Sequence, residues 1–376
     1  MVLPNTMHAM VTMGHGDLDQ MVWYEDWPRP DPAPGDVLLK VLACGLNNTD
    51  VNTRSGWYSK TVQSGTTGAA LDADEGDATW GGAAVSFPRI QGADVCGEIV
   101  AVGEGVSDSR IGERVITDNW LRDPADPLNK SKTGYFGSER DGGFAEFTTI
   151  PAANTVAVNS DYSDAELATF SCSYSTAEGM LTRANVVAGD VVLVPGASGG
   201  VGGALVQLAK RRGARVIALA SEAKHAEVAA LGTDRILPRA PKSLKNELGN
   251  DAVTVVADVV GGSEWPRWID VLERGGRYTC SGAIAGPMVD FDLRTFYLRD
   301  LTFTGSTVIE PSVMPNLVRY IEAKEIKPVL AATYDLRDLH AAQTAFIKKR
   351  AYGQHRCGAL VFVHHSCASE RRSRRE

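Results

Sequence analysis

No stretch of this 376-residue chain approaches the ~20 continuous apolar residues that a membrane span needs. The N-terminus also lacks the basic-then-apolar order of a secretory leader. No C-x-x-C pair occurs. The six cysteines, Cys44, Cys96, Cys172, Cys280, Cys357 and Cys367, are scattered, which argues against a disulfide framework and fits reduced thiols. Positive charge is in deficit, at a formal net charge of -8, so nucleic acid is disfavoured as a partner. The exception is the extreme C-terminus, where Arg371, Arg372, Arg374 and Arg375 predict a basic, disordered tail over residues 366–376. The histidines fall in no spacing that a metal would need. From these absences a soluble cytoplasmic protein is expected, and the chain is long enough for two domains.

What is present centres on VVLVPGASGGVGGALVQL, Val191 to Leu208. The first four residues are an apolar, β-branched run that predicts a buried strand, and Leu205, Val206 and Leu208 open a helical pattern. Gly196, Ala197, Ser198, Gly199, Gly200, Val201 and Gly202 lie between them. A strand that breaks on glycines into a helix lets bare backbone approach a pyrophosphate, and the helix N-terminus supplies N–H donors. A second strand, Arg215 to Ala220, follows at the spacing of a βαβ unit. Its tip ends in Ser221 with Lys224 next, where an NAD site would carry a carboxylate for the ribose 2′-OH; Ser and Lys favour a 2′-phosphate and hence NADPH. Glu222 would take the acidic role if the turn ran one or two residues longer.

The first segment is β-rich, with strands expected at Met7 to Met13, Val37 to Ala43, Ile90 to Val102, Arg114 to Thr117 and Phe144 to Pro151. Between them lie the polar loop LNNTDVNTRSGWYS and a Gly-, Ala- and Asp-rich insert from about Lys60 to Ser86, expected to be a lid or a disordered insertion. A second irregular stretch spans about Asp118 to Asp141. Asp164 to Ala177 reads as one helix, and strands and helices then alternate, as in a doubly wound parallel sheet. Helices at Met314 to Ala323 and Leu339 to Lys348 and a strand at Ala359 to Val363 close the chain. The fold class is therefore α/β. An outer domain over 1–159 and 310–365 encloses a nucleotide domain over 160–309, with the ligand crevice between the two. Val260, Gly261, Ala283 and Thr307 fall at strand ends where backbone would meet a cofactor.

CGLNNTDVNTRSGWY, QGADVCGEIVAVGEGV, GERV, DGGFAEF, STAEGML, PGASGGVG and DVVGG, in this order along nearly the whole chain, resemble the medium-chain dehydrogenase/reductase superfamily. The resemblance implies a GroES-like outer domain, a Rossmann domain, a nicotinamide cofactor near Thr176 and a homodimer. Zinc alcohol dehydrogenases of this superfamily carry Cys-His in the first motif and Gly-His-Glu in the second. Here Asn47 and Asn48 stand at the first pair and Ala93 and Asp94 at the second, leaving Cys172 alone at the third ligand position. One thiolate does not make a catalytic zinc site, which takes three protein ligands. No close cysteine series for a structural zinc lobe occurs between Thr117 and Asp141 either, so no metal is expected. The likeness moves to the zinc-free quinone oxidoreductase branch, matched at Gly45, Leu46, Asn47, Asp50, Arg54, Ser55, Gly56 and Tyr58; Asn52 and the long insert depart from it.

Without a Lewis acid, alcohol oxidation near neutral pH is hard, whereas a quinone or α,β-unsaturated carbonyl spreads the incoming charge onto a distant oxygen. Asn47, Asn52 or Tyr58 would hydrogen-bond that oxygen, with Tyr58 or water supplying the proton. Asn47 also reads as a turn residue, Tyr58 as a rim aromatic, and Asp50 and Arg54 as an ion pair holding the loop. The expected activity is an NADPH-dependent quinone or enone reductase. The alternatives are an enoyl-thioester reductase and a non-catalytic NADPH-binding interaction protein.

Overall fold

The computed structural model describes residues 3–73, 84–352 and 359–363. Six strands form one parallel sheet in the spatial order Arg235–Pro238, Arg215–Ala220, Val191–Val194, Val253–Asp258, Leu272–Cys280 and Thr302–Gly305. Counted along the chain, this order is third, second, first, fourth, fifth, sixth. The winding therefore reverses between Val191–Val194 and Val253–Asp258, and the crevice at their carboxyl ends is where such sheets bind ligands. Helices cover both faces, so VVLV is buried almost throughout; a strand covered on both sides has no use for polar alternation.

A second sheet carries Leu330–Asp335, Ala359–Val363, Asp36–Leu46, Asp94–Val102, Arg114–Thr117 and Thr155–Ala157 in that order, with Phe147–Pro151 also paired to Asp36–Leu46. It is antiparallel apart from the pair formed by its first two strands. Strands from the early chain and the closing segment thus share one sheet. The core continues from one sheet to the other: Ala43, Cys96, Ile116, Trp120 and Tyr135 cluster with Tyr174, Val194 and Ala197.

The single helix expected over Asp164 to Ala177 is two, Asp164–Leu167 and Ser173–Arg183. Ser163 caps the first: its Oγ accepts from the Glu166 N–H at 3.3 Å, and the Glu166 carboxylate accepts from the Ser163 N–H at 2.8 Å. The break comes where the Cys172 N–H leaves the helical pattern and donates to Asp94. Elements not expected from the sequence include the strands Met21–Pro28, Arg235–Pro238 and Leu330–Asp335, and the helix Asn48–Ser55 where a polar loop was expected. The basic tail at 366–376 and the insert's middle, 74–83, lie outside the described residues. Among the described residues, no helix is long and apolar enough to cross a membrane.

Candidate functional site

At the crevice, the turn after Val191–Val194 leads into the helix Gly200–Arg211. Gly196 sits at φ +68°, where only glycine is comfortable. A Cβ on Gly202 would stand 2.2 Å from the Gly196 carbonyl oxygen, so a bare backbone is obligatory for the turn to close on the helix. The result is a cradle of N–H groups at a helix N-terminus that suits a dinucleotide pyrophosphate.

The cradle opens into a cavity of about 1310 Å³. It is lined by Gly196, Ser198, Gly199, Gly200, Val201, Gly202, Ser221, Lys224, Val260, Gly261, Ala283, Thr307 and Thr176, and at the other sheet by Asn47, Asn52 and Tyr58. The residues assigned from the sequence to the cofactor or the acceptor are therefore in one place, except Ala197. Its side chain does not line the cavity; it is fully buried in the core, and its N–H donates to the Leu219 carbonyl at 3.3 Å. The Val260–Gly261 turn is fixed by the buried Asp258, whose carboxylate accepts from both N–H groups and from the Tyr278 hydroxyl at 2.8 Å. Burial raises the Asp258 carboxyl to about 6 in spite of those donors.

Lys224 is 8% exposed and lies 3.4 Å from Glu227. Glu222 does not line the cavity. Arg239 does, and the sequence reading missed it. It follows the strand Arg235–Pro238, which runs parallel to Arg215–Ala220 with Pro238 paired to Ala220, so Arg239 and Ser221 leave adjacent strand ends. Among the described residues no carboxylate pairs with Arg239. Two cations and a hydroxyl thus line the cavity at these adjacent strand ends.

At the opposite end, Asn47 caps the helix Asn48–Ser55 and Asp50 returns the cap, accepting the Asn47 N–H at 2.8 Å. Asp50 also accepts the Gly92 N–H at 3.2 Å, so it is not the ion-pair partner of Arg54. The Arg54 guanidinium turns away to Gln343 and to the carbonyls of Gly16 and Gly68. The Asn47 amide donates to Asp94 at 2.7 Å, and Asp94 further receives the Cys172 N–H and the Asn119 amide at 3.5 Å. Desolvation pushes the Asp50 and Asp94 carboxyls up to about 7. The Tyr58 phenol is pushed up to about 12 by burial, which hydrogen bonds from Thr49 and Asn52 oppose; it keeps its proton throughout the neutral range.

The positions that the resemblance assigns to zinc do not fit that ion. Asn47 and Asp94 are spent on each other, and Ala93 has no donor. Among the described residues no three His, Cys, Asp or Glu side chains converge as a metal site. Trp57, Trp120, Tyr135, Phe346 and Ile347 also line the cavity wall, from a loop, two short strands and a helix far apart in sequence.

The model for the alcohol dehydrogenase GroES-like domain matches residues 33–160, and that for the zinc-binding dehydrogenase matches residues 200–323. A solved structure of a candidate alcohol dehydrogenase from Sinorhizobium meliloti 1021 is 42% identical, with a TM-score of 0.86 over 96% of this chain and 98% of that one. The chain belongs to the medium-chain dehydrogenase/reductase superfamily. Within the superfamily it is 27% identical over 358 residues to acryloyl-coenzyme A reductase of Metallosphaera sedula, covering 93% of this chain and 98% of that protein. It is 26% identical over 331 residues to the chloroplastic NADPH-dependent alkenal/one oxidoreductase of Arabidopsis thaliana, covering 87% and 72%. This medium-chain dehydrogenase/reductase is thus an oxidoreductase whose relatives take a nicotinamide cofactor.

Proposed function

We propose that this protein is a zinc-independent, NADPH-dependent reductase of quinones or α,β-unsaturated carbonyls. The observation that carries the reading is the end of the cavity away from the glycine turn: it is lined by the neutral side chains of Asn47, Asn52 and Tyr58, and Asn47 and Asn48 stand where zinc dehydrogenases hold the first two metal ligands. NADPH, when bound, supplies the hydride. The glycine turn would hold its pyrophosphate, Ser221, Lys224 and Arg239 its 2′-phosphate, and Thr176, Val260, Gly261, Ala283 and Thr307 its nicotinamide half. Reduction at the β-carbon or quinone ring moves an electron pair onto the acceptor oxygen. Tyr58, still protonated, would donate to that oxygen and give up the proton that completes the reduction. Asp94 would keep the Asn47 amide facing the same region, and the apolar wall would exclude water.

The test uses EDTA-treated protein with NADPH and 1,4-benzoquinone, 9,10-phenanthrenequinone or crotonyl-CoA. NADPH oxidation with a quinone in the absence of metal is expected. Turnover of crotonyl-CoA alone would replace the reading with an enoyl-thioester reductase, which the likeness to acryloyl-coenzyme A reductase favours. Tight NADPH binding without any turnover would make the protein a binding module, and dependence on stoichiometric zinc would overturn the metal-free mechanism.

We further propose a cytoplasmic homodimer, with an outer domain at 1–159 and 310–365 and a nucleotide domain at 160–309. Support for the dimer comes from the parallel sheet's open edge, Thr302–Gly305, next to an exposed apolar strip of Met288, Leu293, Tyr297 and Leu298. Leu293→Asp is expected to halve the mass measured by light scattering; an unchanged mass would place the interface elsewhere.

A further inference from the structure

The Ala283–Gly286 loop, which follows the strand Leu272–Cys280, lies between two other stretches of backbone. On one side is the Val259–Gly262 turn: the Ala285 N–H donates to the Val260 carbonyl at 2.7 Å, and the Gly262 N–H donates to the Gly286 carbonyl at 3.0 Å. On the other side is the insert, where the Thr66 N–H donates to the Ile284 carbonyl at 2.9 Å. Both contacts are made on bare backbone. A Cβ on Gly261 would stand 2.8 Å from the Gly286 carbonyl oxygen. One on Gly65 would stand 2.8 Å from the Ile284 carbonyl oxygen and 3.0 Å from the Ala285 carbonyl carbon. Gly65 lies outside the left-handed region, so the closeness of the loop, not its own φ, is what calls for glycine there.

The insert is in turn tied to the helix Asn48–Ser55 and the turn after it. The Trp57 indole N–H donates to the Ser64 carbonyl at 2.9 Å, and the Arg54 guanidinium donates to the Gly68 carbonyl at 2.8 Å. Ile347 packs directly on Gly68, where a Cβ would meet its Cδ1 at 2.2 Å. The chain is therefore held on either side of Gly65 and Thr66, and this segment cannot recoil from the loop without breaking those contacts. Ile284 and Ala285 line the cavity together with Val260, Gly261 and Ala283, whereas Gly65 meets the loop without lining the cavity itself.

We infer that Gly65 is a positioning residue for the cofactor's nicotinamide half: through it the insert braces the Ala283–Gly286 loop against the Val259–Gly262 turn. The inference rests on the proposed placement of that half at Val260, Gly261 and Ala283. The 2′-phosphate, assigned to Ser221, Lys224 and Arg239, sits beyond other strand ends, Ala220 and Pro238, and the contacts of Gly65 and Thr66 with the loop do not extend there.

The experiment titrates wild type and Gly65→Ala calorimetrically with NADPH and with adenosine 2′,5′-bisphosphate, which carries the 2′-phosphate but no nicotinamide. In a close-packed structure the added Cβ forces one of the two backbones to move by roughly half an ångström. Gly65→Ala is expected to weaken NADPH about tenfold, the scale of one misaligned hydrogen bond, and the bisphosphate by less than about twofold. Retained bisphosphate binding also shows that the variant is folded. Trp57→Phe frees the Ser64 carbonyl and leaves the loop's own bonds in place. It is expected to give the same split on a smaller scale, and it carries the result if Gly65→Ala fails to fold. NADH and AMP make the same comparison without the 2′-phosphate. Equal weakening of both ligands, or of neither, would overturn the inference. A wild type that binds NADPH no more tightly than the bisphosphate would remove the nicotinamide placement, and the inference with it; a wild-type gain that the variants keep sinks the inference alone. Quinone turnover plays no part in the readout, so failure of the reductase reading leaves the split standing.

Discussion

Replacing Lys224 and Arg239 together with alanine is expected to raise the KM for NADPH by at least a hundredfold while changing that for NADH by less than about threefold. Each residue would contribute a charge-assisted hydrogen bond to the 2′-phosphate, about 1.5–3 kcal/mol, or roughly ten- to a hundredfold apiece. The two are not equivalent. Lys224 is almost wholly buried and shares its charge with Glu227, whereas Arg239 is exposed and has no carboxylate partner among the described residues. Arg239→Ala alone should therefore cost more than Lys224→Ala in buffers of low ionic strength. The difference should shrink as salt screens the exposed site. Steady-state kinetics with both cofactors at two ionic strengths decides the matter. Equal loss for NADPH and NADH would mean that these cations hold the common part of the dinucleotide and that the cofactor assignment is wrong.

That prediction needs Arg239, which local pattern did not expose. Strands such as Val191–Val194 and Val253–Asp258 are apolar, β-branched and bounded by glycine or loop, so period and composition reveal them. Arg235–Pro238 is four residues long, opens on a charge and ends on proline; only its pairing with Arg215–Ala220 makes it a strand and carries Arg239 to the cavity beside Ser221. The glycine cradle was legible because backbone geometry dictates the residue type there, as the contact between Gly202 and Gly196 shows. Ala197 stands among those glycines, yet its side chain points into the core, a distinction that spacing does not encode. Trp120 and Tyr135 lie in a stretch that reads as irregular. They become a wall only because two-residue strands, Trp120–Leu121 and Gly134–Tyr135, pair and turn both rings together, with centroids 4.9 Å apart. Such short pairings are won by tertiary packing rather than by propensity. That the zinc-ligand residues of the resemblance are absent could be read from the residue types; that Asp94 there collects three donors, from Asn47, Cys172 and Asn119, could not.

Arg54→Met is expected to destabilise the protein by about 3–5 kcal/mol, the scale of removing one side of a buried polar arrangement. Arg54 is completely buried, and its guanidinium is shared among three segments distant in sequence. Its Nε donates to Gln343 at 3.1 Å, one Nη to the Gly16 carbonyl, and the other Nη to the Gly68 carbonyl at 2.8 Å. Methionine fills much of the volume but leaves all three acceptors unmet. Burial lowers the guanidinium pKa while the exposed Asp17 and Asp19 raise it; the group stays charged, so its removal also leaves those two carboxylates uncompensated. Arg54→Lys, with one ammonium in place of a fork, should reach fewer of the acceptors and fall between wild type and Arg54→Met. The loss should be felt at the insert first. Gly68 lies two residues from Thr66, which spans to the Ile284 loop, so freeing it loosens the segment that closes the cavity. Urea unfolding should show a lower midpoint for Arg54→Met, and limited proteolysis under native conditions should cut between residues 60 and 73 before the rest of the chain. A midpoint equal to wild type, with the insert still resistant, would mean that the three segments are held by their own packing and that Arg54 contributes nothing net.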